Sequence, residues 1–112
     1  MYTYKVTIDR VVDGDTVDVH IDLGFNVTAF KRIRLFGINA PETRTKDLEE
    51  KRKGIESKEW LEKLLTSPKI ILMTEKDDTG KYGRVLGTFF VAGININELM
   101  LTSKLALPYM ID

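Results

Sequence analysis

The sequence predicts a mainly β protein with helices, and three observations predict it. Residues 2–36 hold three successive runs in which apolar and polar residues alternate, the period of half-buried strands. A helical apolar stripe follows, from about Gly54 to Leu65. Two more apolar runs and a short capped helix complete the chain. Three strands, a helix, two strands and a terminal helix is the order of a five-stranded Greek-key barrel, the OB-fold, with a helix between strands 3 and 4 and a short C-terminal helix. Such barrels commonly bind nucleic acid, but a fold alone assigns no function.

The first strand covers residues 2–12, with an irregularity where Val11 and Val12 break the alternation. Asp13-Gly14-Asp15 is turn chemistry. Val17, Val19, Ile21 and Leu23 then alternate with Asp18, His20 and Asp22 as the second strand, which Gly24 closes. Val27–Phe36 is the third, so that the three form an antiparallel meander.

Arg44–Lys53 is charged almost throughout, with Leu48 its one apolar residue, and is expected to be a mobile loop. It leads into a helix over Gly54–Leu65 whose buried stripe is Trp60, Leu61, Leu64 and Leu65; Ser67-Pro68 stops it. A helix starting at Asp47, with Glu50 as capping partner, is the alternative. It ranks lower because residues 47–54 offer no apolar face. Ile70–Met73 is the fourth strand, Asp77–Gly80 a loop and Val85–Val91 the fifth strand. Asn95 caps the last helix, with Glu98 three residues on, and Ile96, Leu99 and Met100 face inward.

A chain of 112 residues fits one compact domain, 1–112. Hydrophobic residues at 43% and charged residues at 30% place it among globular rather than disordered proteins. Its formal net charge is zero, so phosphate binding must come from local clusters of basic residues and not from a global field. Without cysteine, disulfides, thiol catalysis and zinc–thiolate sites are excluded. No basic segment precedes an apolar leader, and no apolar stretch is long enough to span a bilayer. The expectation is a cytoplasmic protein with no membrane partner if the chain is full length, and a secreted one if it is trimmed. Oligomeric state is left open.

The stretch Arg34–Thr43 carries the chemistry. It starts as a strand, turns outward after Gly37 and leaves through Asn39, Ala40 and Pro41. Proline holds its predecessor extended and has its own φ locked, so the Ala40 carbonyl is aimed in a fixed direction. A stiff strand exit thus presents an amide oxygen, a carbonyl and the Glu42 carboxylate, a few residues after an arginine. That suits a cation and an anion held side by side. Crowding Asp13, Asp15 and Glu42 together would itself favour a cation among them.

Read singly, Asp13-Gly14-Asp15-Thr16, Arg34, Asn39–Thr43 and Lys81-Tyr82-Gly83-Arg84 each pass for ordinary loop or edge chemistry. Taken together, the strings VVDGDTV, RIRLFGINAPET, KYGR and INELMLTSKLA resemble the staphylococcal nuclease (thermonuclease) family, from Val12 to Ala106. The resemblance implies a calcium-dependent phosphodiesterase of single-stranded DNA and RNA that cuts the P–O5′ bond and leaves 3′-phosphate ends. By motif, it implies that Asp15, Asn39 and the Ala40 carbonyl ligate Ca2+. It implies that Glu42 activates the attacking water and that Arg34 and Arg84 grip the scissile phosphate. Lys81 and Tyr82 match positions that contact a terminal phosphate of the nucleotide, and Asp13 lies behind the metal ligands.

Two positions depart from the family pattern. Asn39 stands where the family has an aspartate, and Ala40 where its best-known member has threonine. If only the backbone of residue 40 ligates, the second change is mild. The first removes a negative charge from the metal's ligands and predicts weaker calcium binding and reduced activity. The alternative reading is a non-catalytic OB-type module that binds nucleic acid or a protein. Flatter expectations attach to other residues: His20 is solvated, Trp60 is helix core, and Lys51, Arg52 and Lys53 are a solvated charged run, with holding a strand backbone as the alternative. Tyr109, by loose analogy, is available to stack on a base.

Overall fold

The computed structural model describes residues 2–75 and 85–109. The elements run β1 (Tyr2–Asp13), β2 (Thr16–Asp22), β3 (Thr28–Leu35), β4 (Ile38–Asn39), α1 (Leu48–Leu64), β5 (Ile70–Glu75), β6 (Val85–Val91), β7 (Ile94–Asn95), α2 (Ile96–Thr102) and β8 (Leu107–Pro108).

The three alternating runs pair as the expected antiparallel meander, β1 with β2 and β2 with β3. β1 slips register between Ile8 and Arg10 and again between Val11 and Asp13. Those bulges bend the strand. Its first half, Tyr2–Val6, therefore pairs with β5, while most of its length pairs with β2. β5 pairs antiparallel with β6, and β6 runs parallel to β3 from Ile33↔Val85 to Leu35↔Gly87. The circuit β1-β2-β3-β6-β5 closes a five-stranded barrel, flanked by two helices, which is the OB-fold expected from the element order.

Period two decides what fills it. Val17, Val19, Ile33 and Leu35 point inward and are essentially buried, where they meet Leu72 and Phe89 from β5 and β6 and Leu61 and Met100 from the helices. Leu23, expected to extend this alternation, lies past the end of β2 and is exposed.

α1 starts at Leu48, six residues before the expected Gly54, so the helix that was ranked second is the one that forms. Its N-terminus needs no apolar face. Asp47 caps it, its Oδ1 accepting from the backbone N–H groups of Glu49 and Glu50. The Asp47 N–H donates to Thr45 Oγ1, so the reciprocal Glu50 bond of a capping box is not used. Glu49 and Arg52 pair at 2.7 Å one turn apart. The buried residues of α1 are Gly54, Ser57 and Leu61, a stripe that begins with two small residues and escapes a count of apolar ones. Trp60, expected in that stripe, is 47% exposed, with Lys63 Nζ 5.8 Å from its ring centroid. It lies one position off the buried line, since 57 and 61 are four apart and 60 falls beside them.

α2 is capped by Asn95, which accepts from the Glu98 N–H, as expected. Ile96 and Met100 are buried, Leu99 only half so, and Asn97 takes a core position. The Asn97 amide accepts from Phe89 N–H and donates to the Phe36 and Gly87 carbonyls, binding α2 to β6 and to the exit of β3.

Candidate active site

Two segments make the site. One is the tight turn Asp13–Thr16 between β1 and β2; the other is the path out of β3 through β4 to Thr43. Their separation is set by the sheet, because Thr16 is the register partner of Arg34. The Leu35 N–H also donates to the Asp15 carbonyl at 2.8 Å.

Asp15 is buried and fully engaged. Thr16 Oγ1 donates to its Oδ1 at 2.9 Å, and the Ala40 N–H donates to Oδ2 at 2.9 Å. Arg34 Nη1 lies 2.8 Å from the same Oδ2, with 13% of the arginine side chain and 10% of the aspartate's exposed. Arg34 Nη2 donates to the Ile38 carbonyl and to Asn39 Oδ1, both at 3.2 Å. Its guanidinium carbon sits 5.3 Å from the centre of the Tyr109 ring. Tyr109 is put there by β8, which pairs with β4, and by its own N–H, which donates to the Gly37 carbonyl.

These residues surround one polar cleft of about 310 Å³. Asp13, Asp15, Thr16, Arg34, Asn39, Ala40, Pro41, Glu42 and Tyr109 line it. Asp13 accepts from Thr43 Oγ1 at 2.5 Å, and Glu42 is exposed at the opening. Of the residues singled out in the sequence, Asp13, Asp15, Arg34, Asn39, Ala40 and Glu42 thus meet in one place. Lys81, Tyr82 and Arg84 lie outside the described residues, as does the loop at Asp77–Gly80.

The backing of the site is α1. A Cβ at Gly54 would stand 2.5 Å from the Glu42 carbonyl oxygen and 2.8 Å from that of Pro41. A Cβ at Gly14 would stand 2.8 Å from Ser57 Cβ and 2.9 Å from Ala40 Cβ. The helix therefore presses on both segments at once, through residues too small to register as a motif. Ser57 Oγ donates to the Leu105 carbonyl and draws in the segment that leads to Tyr109. Gly54 and Ser57 escape a reading of the sequence for chemistry, and Gly14 and Thr43 stand inside its motifs without a role of their own. Their only signal is smallness or a hydroxyl at the right contact.

The donor set can be tested for a hard cation. Asp15 Oδ2 and Asn39 Oδ1 converge on one positive group, the Arg34 guanidinium, and both are hard oxygens of the kind calcium takes. Asp15, Asn39 and the Ala40 carbonyl fit such an ion in chemistry. The crowding of three carboxylates does not supply the argument expected of it. Among the described residues no three Asp, Glu or His side chains converge closely enough to hold an ion, and the charge of Asp15 is met by Arg34.

The sequence matches the family described as "Staphylococcal nuclease homologue" over residues 32–112. Thermonuclease of Staphylococcus hyicus is 31% identical over 104 residues, spanning 93% of this chain and 57% of that protein. The SPbeta prophage-derived endonuclease YokF of Bacillus subtilis is 32% identical over 102 residues, 90% of this chain and 33% of its own. Endonuclease YncB of the same organism is 33% identical over 103 residues, 91% of this chain and 46% of its own. The chain spans from a third to just over half the length of these relatives.

Proposed function

The chain belongs to the staphylococcal nuclease family, and from that premise we propose that it is a calcium-dependent phosphodiesterase hydrolysing single-stranded DNA or RNA at the P–O5′ bond. The observation that carries the reading is the shared cleft, in which an arginine fork and an exposed carboxylate, Arg34 and Glu42, line one polar space beside Asp15.

Phosphoryl transfer asks chiefly for positioning and for positive charge on the phosphate oxygens. Arg34 supplies a planar fork of N–H donors, oriented before substrate arrives by the Ile38 carbonyl. Arg84 gives the second fork by the family motif, and Lys81 and Tyr82 hold a terminal phosphate. Glu42 takes a proton from the attacking water, a role open to an exposed carboxylate at the cleft mouth. Asp15, Asn39 and the Ala40 carbonyl hold the calcium ion, with Asp13 behind them. When bound, the ion neutralises phosphate charge and orients the reactants. A neutral amide at position 39 weakens that ligation without abolishing it.

The test is cleavage of single-stranded DNA with calcium, beside a chelator control and the Glu42→Ala and Arg34→Ala variants. Each variant is expected to lose at least about a hundredfold in rate, the lower end for a general base. Absence of calcium-dependent cleavage, or cleavage indifferent to both substitutions, returns the chain to the non-catalytic binding module.

A further inference from the structure

We infer that the outer face of β2 and β3 is an extended subsite for a single-stranded nucleic acid, in which Arg32 takes the phosphate next to the one held by Arg34 and Phe30 stacks on a base beyond it. The inference rests on the nuclease reading and adds the path of the strand outside the cleft.

Along β3, Ile33 and Leu35 point into the barrel, so Phe30, Arg32 and Arg34 share its outer face. Two residues along a strand span about 7 Å, the order of separation of successive phosphates in an extended single strand. Arg34 lines the cleft, and the next outward side chain is a second arginine. Arg32 is built as Arg34 is, with an aspartate behind it. Its Nε and Nη2 donate to the two oxygens of Asp18 at 2.8 and 3.1 Å. The carboxylate is buried, while 48% of the arginine side chain is exposed. Guanidinium has five N–H donors, and among the described residues Nη1 is not engaged, so a fork pre-oriented by Asp18 still has donors facing outward.

The charge of that row favours an anion. Asp18 is the register partner of Arg10 on one side and of Arg32 on the other, two cations on one carboxylate. The following row is aromatic. Phe30 is 54% exposed and pairs in register with His20, the ring centroids 5.2 Å apart, while His20 Nε2 lies 3.4 Å from Asp9 Oδ1. Cationic groups that track a backbone, followed by an aromatic platform, are what binding of single strands requires.

The test uses the full chain carrying Glu42→Gln, so that bound strands persist, in calcium. Two ligands are titrated: a nucleoside 3′,5′-bisphosphate, which fills only the cleft, and a ten-residue oligothymidylate. Two variants are compared with this parent. Phe30→Ala removes the platform, and the double variant Asp18→Asn/Arg32→Gln removes the fork without leaving a buried charge unpaired or changing net charge. Each is expected to weaken oligothymidylate binding about tenfold, with bisphosphate affinity unchanged. The double variant also lowers the salt dependence of oligothymidylate binding by about one ion. Oligothymidylate affinities equal to the parent's, or equal losses for both ligands, overturn the subsite. A parent that binds neither ligand overturns the nuclease reading and this inference with it.

Discussion

Arg34 Nη1 lies 2.8 Å from Asp15 Oδ2, and Arg34 Nη2 3.2 Å from Asn39 Oδ1, so one guanidinium satisfies both side-chain oxygens expected to face a metal ion. Breaking a buried ion pair by removing one partner leaves an uncompensated charge, at a cost of about 3–5 kcal/mol. Arg34→Met should therefore destabilise the protein in chelator by about 3 kcal/mol. Calcium then has Asp15 and Asn39 to itself, and should raise Tm further in the variant than in the parent. Thermal melts with and without calcium check this. A calcium shift no larger than the parent's would show that the arginine and the ion do not compete.

Asn39 is the residue whose charge can be restored without disturbing the fold, since its side chain is exposed and its bond to Arg34 survives as an aspartate's. Ligand charge count is a main determinant of calcium affinity. Asn39→Asp should tighten calcium binding on the order of tenfold and raise the cleavage rate. Calorimetric titration is the measurement, and equal or weaker binding would remove the missing charge as the cause of a weak site.

Much of this was legible in the sequence because period two is a strong signal: the runs around Val17, Val19, Ile33 and Leu35 are the barrel strands, and Asn95 caps the helix it was expected to cap. The misses are alike in that local apolarity does not decide them. The start of α1 is set by its Asp47 cap, and the exposure of Trp60 and the core position of Asn97 by contacts between distant residues. Gly54 is buried because Glu42 is against it, and Asn97 because three backbone groups of β6 and the β3 exit need partners. The same holds at the cleft. Motifs named Asp15 and Arg34 separately, but only the β2–β3 register, Thr16 opposite Arg34, explains why they bond.

Gly54 offers a test of that contact with an unusual sign. On an open helix face Gly→Ala stabilises by about 1 kcal/mol. Here the new methyl would meet the Glu42 carbonyl oxygen at 2.5 Å, and overpacking of this kind costs about 1–3 kcal/mol. Gly54→Ala should lower Tm. The loop that yields carries Glu42, so kcat should fall, by as much as about a hundredfold for a displacement near 1 Å. A variant with raised Tm and parental kcat would mean that the helix does not fix the loop.

The Asp18–Arg32 pair should leave its mark on the pH dependence of stability. Hydrogen bonds from the Arg32 guanidinium hold the Asp18 carboxyl below its ordinary value of 3.8, against the opposing effect of burial. A carboxyl with a lowered pKa in the folded state contributes stability that is whole above its unfolded-state pKa and is lost as pH falls through the folded one. The sign is therefore loss on acidification. Arg32→Gln removes the contribution, so it should destabilise most at pH 7, by about 1 kcal/mol because Arg32 is half in water. The gap between parent and variant should narrow as pH is lowered below about 4. Urea melts at pH 7, 5 and 3 measure it. A gap that stays constant or widens in acid would mean that Arg32 acts on stability through packing of its stem and not through the charge of Asp18.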